Sequence, residues 1–333
     1  MAYAVGDTIS NSDYNGLLNN TASGTPNAGV AARGINYIAG TGATSGAGVV
    51  YGLGQTELTS VGTSDTITAA QWNSLFTFMN NIQNHTNITA LTSTTAAAAG
   101  DTIAIKAALE TDLNALAAAV AAGSTSATAL TTSSALQTVT TAAEGWDSTA
   151  TQEVSVTFAS ANAMRWFFNG GGKVRITVGT TELAVSAKDT SFKDLGTAIG
   201  NLDIGSQTTT RSGTGETLTT NGLALGFHDL TDTYQTILKL TSDNTSYTSN
   251  TIELFAKLDA AVGTATVITV KMVATDASVD TQYTAGNTQG VPAAVKDTPK
   301  MITTLYTITP NNTEGLTTVS YVSTTATVSN TTT

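Results

Sequence analysis

A chain of 333 residues is long enough for more than one domain, and its 41% hydrophobic content is enough to pack them, yet only 11% of its residues are charged. Its 13 Lys and Arg are thinly spread against a net charge of −11, so no cation cluster offers a phosphate-tracking surface and nucleic acid is not expected as a partner. The absence of cysteine excludes disulfides, thiolate metal sites and cysteine nucleophiles.

Thr, Ser and Asn replace the missing charge, which points to a folded, neutral polar, β-rich surface rather than to disorder. Met1-Ala-Tyr-Ala-Val-Gly-Asp7 has neither a basic nor an apolar leader region, and no window approaches about 18 uninterrupted apolar residues. No membrane partner is expected. The chain should be made in the cytoplasm and reach the outside, if at all, within an assembly.

The first 90 residues hold a repeat. Asp7-Thr8-Ile9-Ser10 with Tyr14, Asn15, Leu17 and Leu18 returns as Asp65-Thr66-Ile67-Thr68 with Trp72, Asn73, Leu75 and Phe76, each pair 58 positions apart. In both copies (about 7–20 and 65–82) a hydroxyl residue stands where an N-cap belongs, and the apolar side chains share one helix face. The second stripe runs on through Met79 and Ile82. A looser echo at Gly100-Asp101-Thr102-Ile103 precedes Leu109, Leu113, Leu116 and Val120, spaced as in a bundle seam. Single stripes in so polar a region predict helices whose core is completed by neighbouring chains. The glycine-rich run at 38–50 lacks the Lys-Ser/Thr of a phosphate loop and reads as an extended arm or loop.

Residues 121–143 are rich in Ala, Thr and Ser and read as a linker or weak helix, with Glu144-Gly145-Trp146 opening the next domain. From Gln152 the period becomes two, first in Val154, Val156 and Phe158 and later in Leu183, Val185 and Ala187. One helix interrupts, carrying Phe192, Leu195, Ile199 and Leu202, and further strands are predicted at 233–240, 251–258 and 266–274. After Pro292 come two Thr-rich runs, 301–309 and 316–328, expected to pair with another subunit or add to a sheet edge. The predicted fold is multidomain α+β. A helical docking and oligomerisation region (1–123) and a linker (124–150) lead to an antiparallel β-sandwich with one packed helix (151–290) and a β-prone tail (291–333).

The densest stretch is 165–178, Arg-Trp-Phe-Phe-Asn-Gly-Gly-Gly-Lys-Val-Arg-Ile-Thr-Val. Residues that tolerate positive φ stand between an aromatic run and an alternating run, which predicts a β-hairpin. Trp166 or Phe167 would anchor it, both being buried if the second face is covered. This stretch resembles one in virion structural proteins of tailed bacteriophages, especially fibre-like tail or neck proteins of the cyanophage type. Similar again is the run 226–240, Gly-Phe-His-Asp-Leu-Thr-Asp-Thr-Tyr-Gln-Thr-Ile-Leu, followed by 247–257; together the matches span roughly residues 150 to 285.

The resemblance implies a non-enzymatic tail- or neck-attached fibre or spike that docks through its N-terminal half and presents the sandwich outward, with a role in host attachment. Its implied partners are further copies of itself in a trimer, other tail or neck proteins and a host surface glycan. Two other classes stay open: a bacterial carbohydrate-binding or surface-layer module, and a fibre depolymerase.

No residue is nominated as catalytic, cofactor-binding or metal-ligating, and no cofactor is expected. His85 and His228 lie far apart and have no metal-motif context, so both read as structural or exposed. The acidic near-pairs Asp229/Asp232, Asp276/Asp280 and Glu110/Asp112 are too sparse to nominate a glycosidase or calcium site. Arg165, Lys173 and Arg175 read as solvated strand-face cations. The structural or interface candidates are Trp72, Leu75, Phe76, Leu109, Leu113, Leu116, Trp166, Phe167, Phe168, Gly170, Gly171 and Gly172.

Overall fold

The computed structural model describes residues 11–19, 34–88, 91–92, 106–140, 146, 148–181, 187–245, 247–277, 299–311 and 328–332. The chain divides into two compact units, Met1–Thr131 with Ser160–Gly172 and Thr309–Tyr321, and Thr132–Ala159 with Lys173–Ile308 and Val322–Thr333.

The first unit is helical, with α1 (Asn11–Asn19), α2 (Ile35–Ala39), α3 (Ala69–Thr86), α4 (Lys106–Ala121) and α5 (Ala161–Asn169). Thr68 and Gln71 form a reciprocal capping box at the start of α3, and Asn87 closes the helix in the left-handed region at φ 53°. The stripe Trp72, Leu75, Phe76, Met79 and Ile82 is buried with Tyr14, Leu17 and Leu18 of α1 and Leu109, Leu113, Leu116 and Val120 of α4. This corrects the expectation that neighbouring chains complete the core. The missing apolar surface comes from Ile35, Ile38 and Ala39 of α2 and from Leu53 and Val61, so the stripes close on one another within one chain.

The extended stretch behind α2 is held by two asparagines. Asn36 donates to Leu58 O and accepts from Leu58 N, and Asn15 treats Val61 the same way, all at 2.8–2.9 Å. Side-chain amides thus satisfy backbone groups that no strand pairs. The glycine-rich run forms a turn and a 3-10 helix, Gly46–Val50. The first repeat copy's Asp7 to Ser10 lie outside the described residues.

The second unit contains β1 (Leu130–Thr132), where the chain enters it, β2 (Gln137–Thr140), β3 (Thr149–Thr157), β4 (Lys173–Thr181), α6 (Ala187–Ile199), β5 (Asn201–Ile204), β6 (Thr209–Arg211), β7 (Thr217–Asn221), β8 (Gln235–Thr241), β9 (Thr251–Leu258), β10 (Val267–Thr275), β11 (Lys300–Pro310) and β12 (Val328–Thr332). One sheet has the order β1-β11-β4-β5-β6 with β2 also on β11, and the other β12-β3-β10-β9-β8-β7. The registered pairs are antiparallel. This is the predicted α+β architecture with a sandwich-like pair of sheets.

Alternation buries Val154 and Val156, Ile252 and Leu254, Ile268, Val270 and Met272 on one sheet, and Val174, Ile176, Met301 and Leu305 on the other. The helix α6 adds Phe192, Leu195 and Ile199 and packs on β4, β8 and β9. Gly196 permits the approach, since a Cβ there would lie 2.9 Å from Val178 O. Gln152, fully buried on β3, donates to Val139 O and Met301 O and accepts from Thr303 Oγ1, tying the two sheets together.

Several boundaries differ from expectation. The predicted hairpin is absent: Trp166, Phe167 and Phe168 are helical in α5, and only 173–181 is strand. Leu202 belongs to β5, not to the helix, because Gly200 at φ +62° ends α6. The expected linker supplies β1 and β2, and the first tail run, β11, lies inside a sheet. Of the second tail run all but Val328 lies outside the described residues, and the strand β12 that begins there pairs with β3. Leu183, Val185 and Asp280 lie outside the described residues.

Candidate functional site

In the first unit, α5 and the glycine turn that follows it form a clamp. Ser160 caps α5 by accepting from Ala163 N. Arg165 is 1% exposed, and its guanidinium donates to Tyr51 O, Thr41 O and Asn162 Oδ1. Its acceptors are carbonyl and amide oxygens, not a carboxylate. Burial pushes its pKa down to about 10, with the nearby Tyr37 opposing the shift, so Arg165 remains a cation at neutral pH. This corrects its reading as a solvated strand-face cation.

One turn on, Asn169 Nδ2 donates to Val49 O, Tyr51 O and Gly52 O at 2.9–3.1 Å. Trp166 is half-buried: Nε1 donates to Thr41 O, and its ring covers Gly54, where a Cβ would come within 2.5 Å. Three α5 side chains therefore gather the carbonyls of residues 41–52. Phe167 and Phe168, both fully buried, meet edge to face at 5.1 Å.

The three glycines serve close packing. Gly170 O accepts from Thr125 Oγ1 and lies 2.9 Å from His85 Nε2, which places the buried His85 in a structural role. Gly171 takes φ +84°, and a Cβ there would stand 1.7 Å from Thr125 Oγ1. A Cβ on Gly172 would meet Phe167 O at 2.6 Å. Trp72, Leu75, Phe76, Leu109, Leu113 and Leu116 are core residues, at most 5% exposed.

The second unit carries its own polar constellations. Arg175 forms a fork with Asp203 across the β4–β5 register, at 2.7 and 2.8 Å, and the bond to Asp203 raises its pKa. On the outer face of the other sheet, Lys271 Nζ sits 3.9 Å from the ring centre of Tyr234 and 4.7 Å from that of Phe255, with Lys257 Nζ 4.6 Å from Tyr234. Burial raises the pKa of the Tyr234 phenol, and the nearby Glu153 carboxylate adds to the shift. Sequence reasoning missed this cluster, although the outward positions of the alternating strands, Phe255, Lys257 and Lys271 among them, were an available signal.

A cleft of about 590 Å³ lies where β4, α6 and β5 meet, lined by Thr177, Gly179, Thr181, Lys193, Thr197 and Asn201 among others. Its chemistry is hydroxyls, an amide and one ammonium. The acidic near-pairs are put to other uses. Asp229 accepts from Gly226 N, Asp112 holds Thr92, and Asp276 pairs with Lys188. Among the described residues no group of three or more His, Asp and Glu stands ready for a metal ion. Nor is any described helix long and apolar enough to cross a membrane.

A scan against protein-family models finds no match for this chain, and searches of curated proteins and of solved structures find none.

Proposed function

We propose that the chain is a non-enzymatic structural component of a bacteriophage virion, a tail- or neck-attached fibre or spike that docks through its N-terminal unit and presents its sandwich outward for host attachment. The observation that carries this reading is the resemblance of 165–178 and 226–257 to fibre-like tail proteins. Both stretches fall on framework elements, α5 with its glycine turn and β4, and the β8–β9 pair. A resemblance in framework speaks for shared build and assigns no reaction. Strand faces rich in Thr with few charges suit a protein that works by contact.

Mass spectrometry of purified virions from the source phage tests it. The protein should be present at structural copy number, and its absence from intact particles would refute the proposal. Self-association into trimers belongs to the same reading, and sedimentation of the purified chain as a compact monomer would remove that part. Because the helical stripes are already buried within one chain, any contact between copies uses other surfaces.

A further inference from the structure

Lys188 and Asp276 lie close together deep inside the second unit. Nζ is 2.8 Å from Oδ2, and the two side chains are only 2% and 3% exposed, whereas Arg175 and Asp203 keep 24% and 12%. Lys188 is the second residue of α6, and Asp276 follows the last residue of β10. The backbone on the carboxylate side is fixed by Asp276 N donating to Ser148 O, and the Tyr247 ring stands 5.9 Å from the ammonium. Stripping water from both charges costs several kcal/mol per ion, so a pair this dry is a weak way to gain stability. It is, however, a strong way to gain reactivity. An amine and a carboxyl held in contact away from water have a high effective concentration, and the water they would release has little access for the reverse reaction.

We propose that Lys188 and Asp276 become joined by an intramolecular isopeptide bond. Proton transfer within the pair gives the neutral amine and the carboxylic acid. Nζ attacks Cγ, the Nζ–Cγ bond forms, and one Cγ–Oδ bond breaks. Of the three ammonium protons, one stays on the amide nitrogen and two leave with the departing oxygen as water. Ammonium and carboxylate are consumed, amide and water are produced, and no oxidant, reductant or cofactor takes part.

The product closes a covalent loop across 88 positions in a chain without cysteine, joining the start of α6 to the end of β10. A cross-link of that span restricts the unfolded chain as a disulfide would, and it resists thiol reductants. It also replaces two buried charges with a neutral amide that needs far less solvation.

The intact mass of the purified full chain, corrected for removal of the initiator Met, decides the matter. The wild-type protein should be lighter by one water than its sequence, and trypsin should fail to cut after Lys188. Fragmentation should show a branched peptide linking Lys188 to Asp276. Lys188→Arg, which keeps the cation, and Asp276→Ala should both restore the full mass. The wild-type reading does not depend on whether a variant folds. A wild-type chain at full mass overturns the proposal, as does a water loss that maps to a cyclised Asp elsewhere while Lys188 remains cleavable.

Discussion

Tyr14 and Trp72, equivalent positions in the two repeat copies, face each other with ring centres 6.3 Å apart at an angle of 39°. The repeat is thus also a contact: the aromatic of each copy packs on that of the other, and Tyr14 OH donates to Gln71 O at 3.3 Å. Trp72 further meets Phe76 edge to face at 5.5 Å. Trp72→Ala should cost about 3–5 kcal/mol, the range for emptying a buried aromatic site. Tyr14→Phe keeps the packing and should lose about 1 kcal/mol with one hydrogen bond. Denaturant unfolding of the two variants, followed by circular dichroism, measures the difference; equal losses would show that the ring contact carries little.

The Arg165 clamp makes a sharper claim. Lysine at this position would place one compact ammonium where the guanidinium now spans Thr41 O, Tyr51 O and Asn162 Oδ1, so Arg165→Lys should not behave as a conservative change. Leaving buried carbonyls unmet costs about 1–3 kcal/mol each, and Arg165→Lys should raise proteolytic cleavage within 41–54 well before global unfolding. Limited proteolysis with peptide mapping reads this directly. Removing residues 1–145 would therefore strand α5 without the carbonyl partners of Arg165 and Asn169.

How much of this was legible follows from where each partner lies. The α3 stripe was readable because its spacing is local and Thr68 announces the cap, and the strands of the sandwich were readable from strict alternation. The hairpin misreading arose because Asn-Gly-Gly-Gly after aromatics signals a helix end as well as a tight turn. Ser160, three residues before the Ala163 N–H that it caps, was the overlooked cue. Burial of Arg165 could not be read locally, since its carbonyl partners lie 114 and 124 positions away. The private core of the helical unit was missed for a related reason: Ile35, Ile38 and Leu53 sit in glycine-rich sequence with no periodic pattern of their own.

Gly171 in the glycine turn and Gly179 on β4 should respond differently to the same substitution. Gly171→Ala forces a side chain into φ +84° and onto Thr125, whereas a Cβ at Gly179 meets nothing within 4 Å. Gly171→Ala should therefore destabilise by more than about 1 kcal/mol, while Gly179→Ala should be neutral or slightly stabilising within a strand. Thermal melts of the two single variants compare them. A Gly171→Ala protein as stable as wild type would mean that Thr125 and the turn relax freely.

Asp259 supplies a pH-dependent element in the connection between β9 and β10. Partial burial alone would raise its pKa, but bonds from Val267 N, Thr266 N and Thr266 Oγ1 at 2.8–2.9 Å outweigh that and hold it below its ordinary value of 3.8. A carboxyl with a lowered folded-state pKa releases its proton more readily in the folded state. Its contribution is therefore whole above the unfolded value of 3.8 and is lost as pH falls through the lower folded value. The side chain is exposed, so solvent and salt keep the effect small. Asp259→Asn retains an acceptor oxygen without the charge, and it should lower the melting temperature near neutral pH while flattening the acid limb. Melting curves of the two proteins should converge as pH drops below 3.8, and a gap that stayed constant through that range would show that the lost stability came from geometry and not from ionisation.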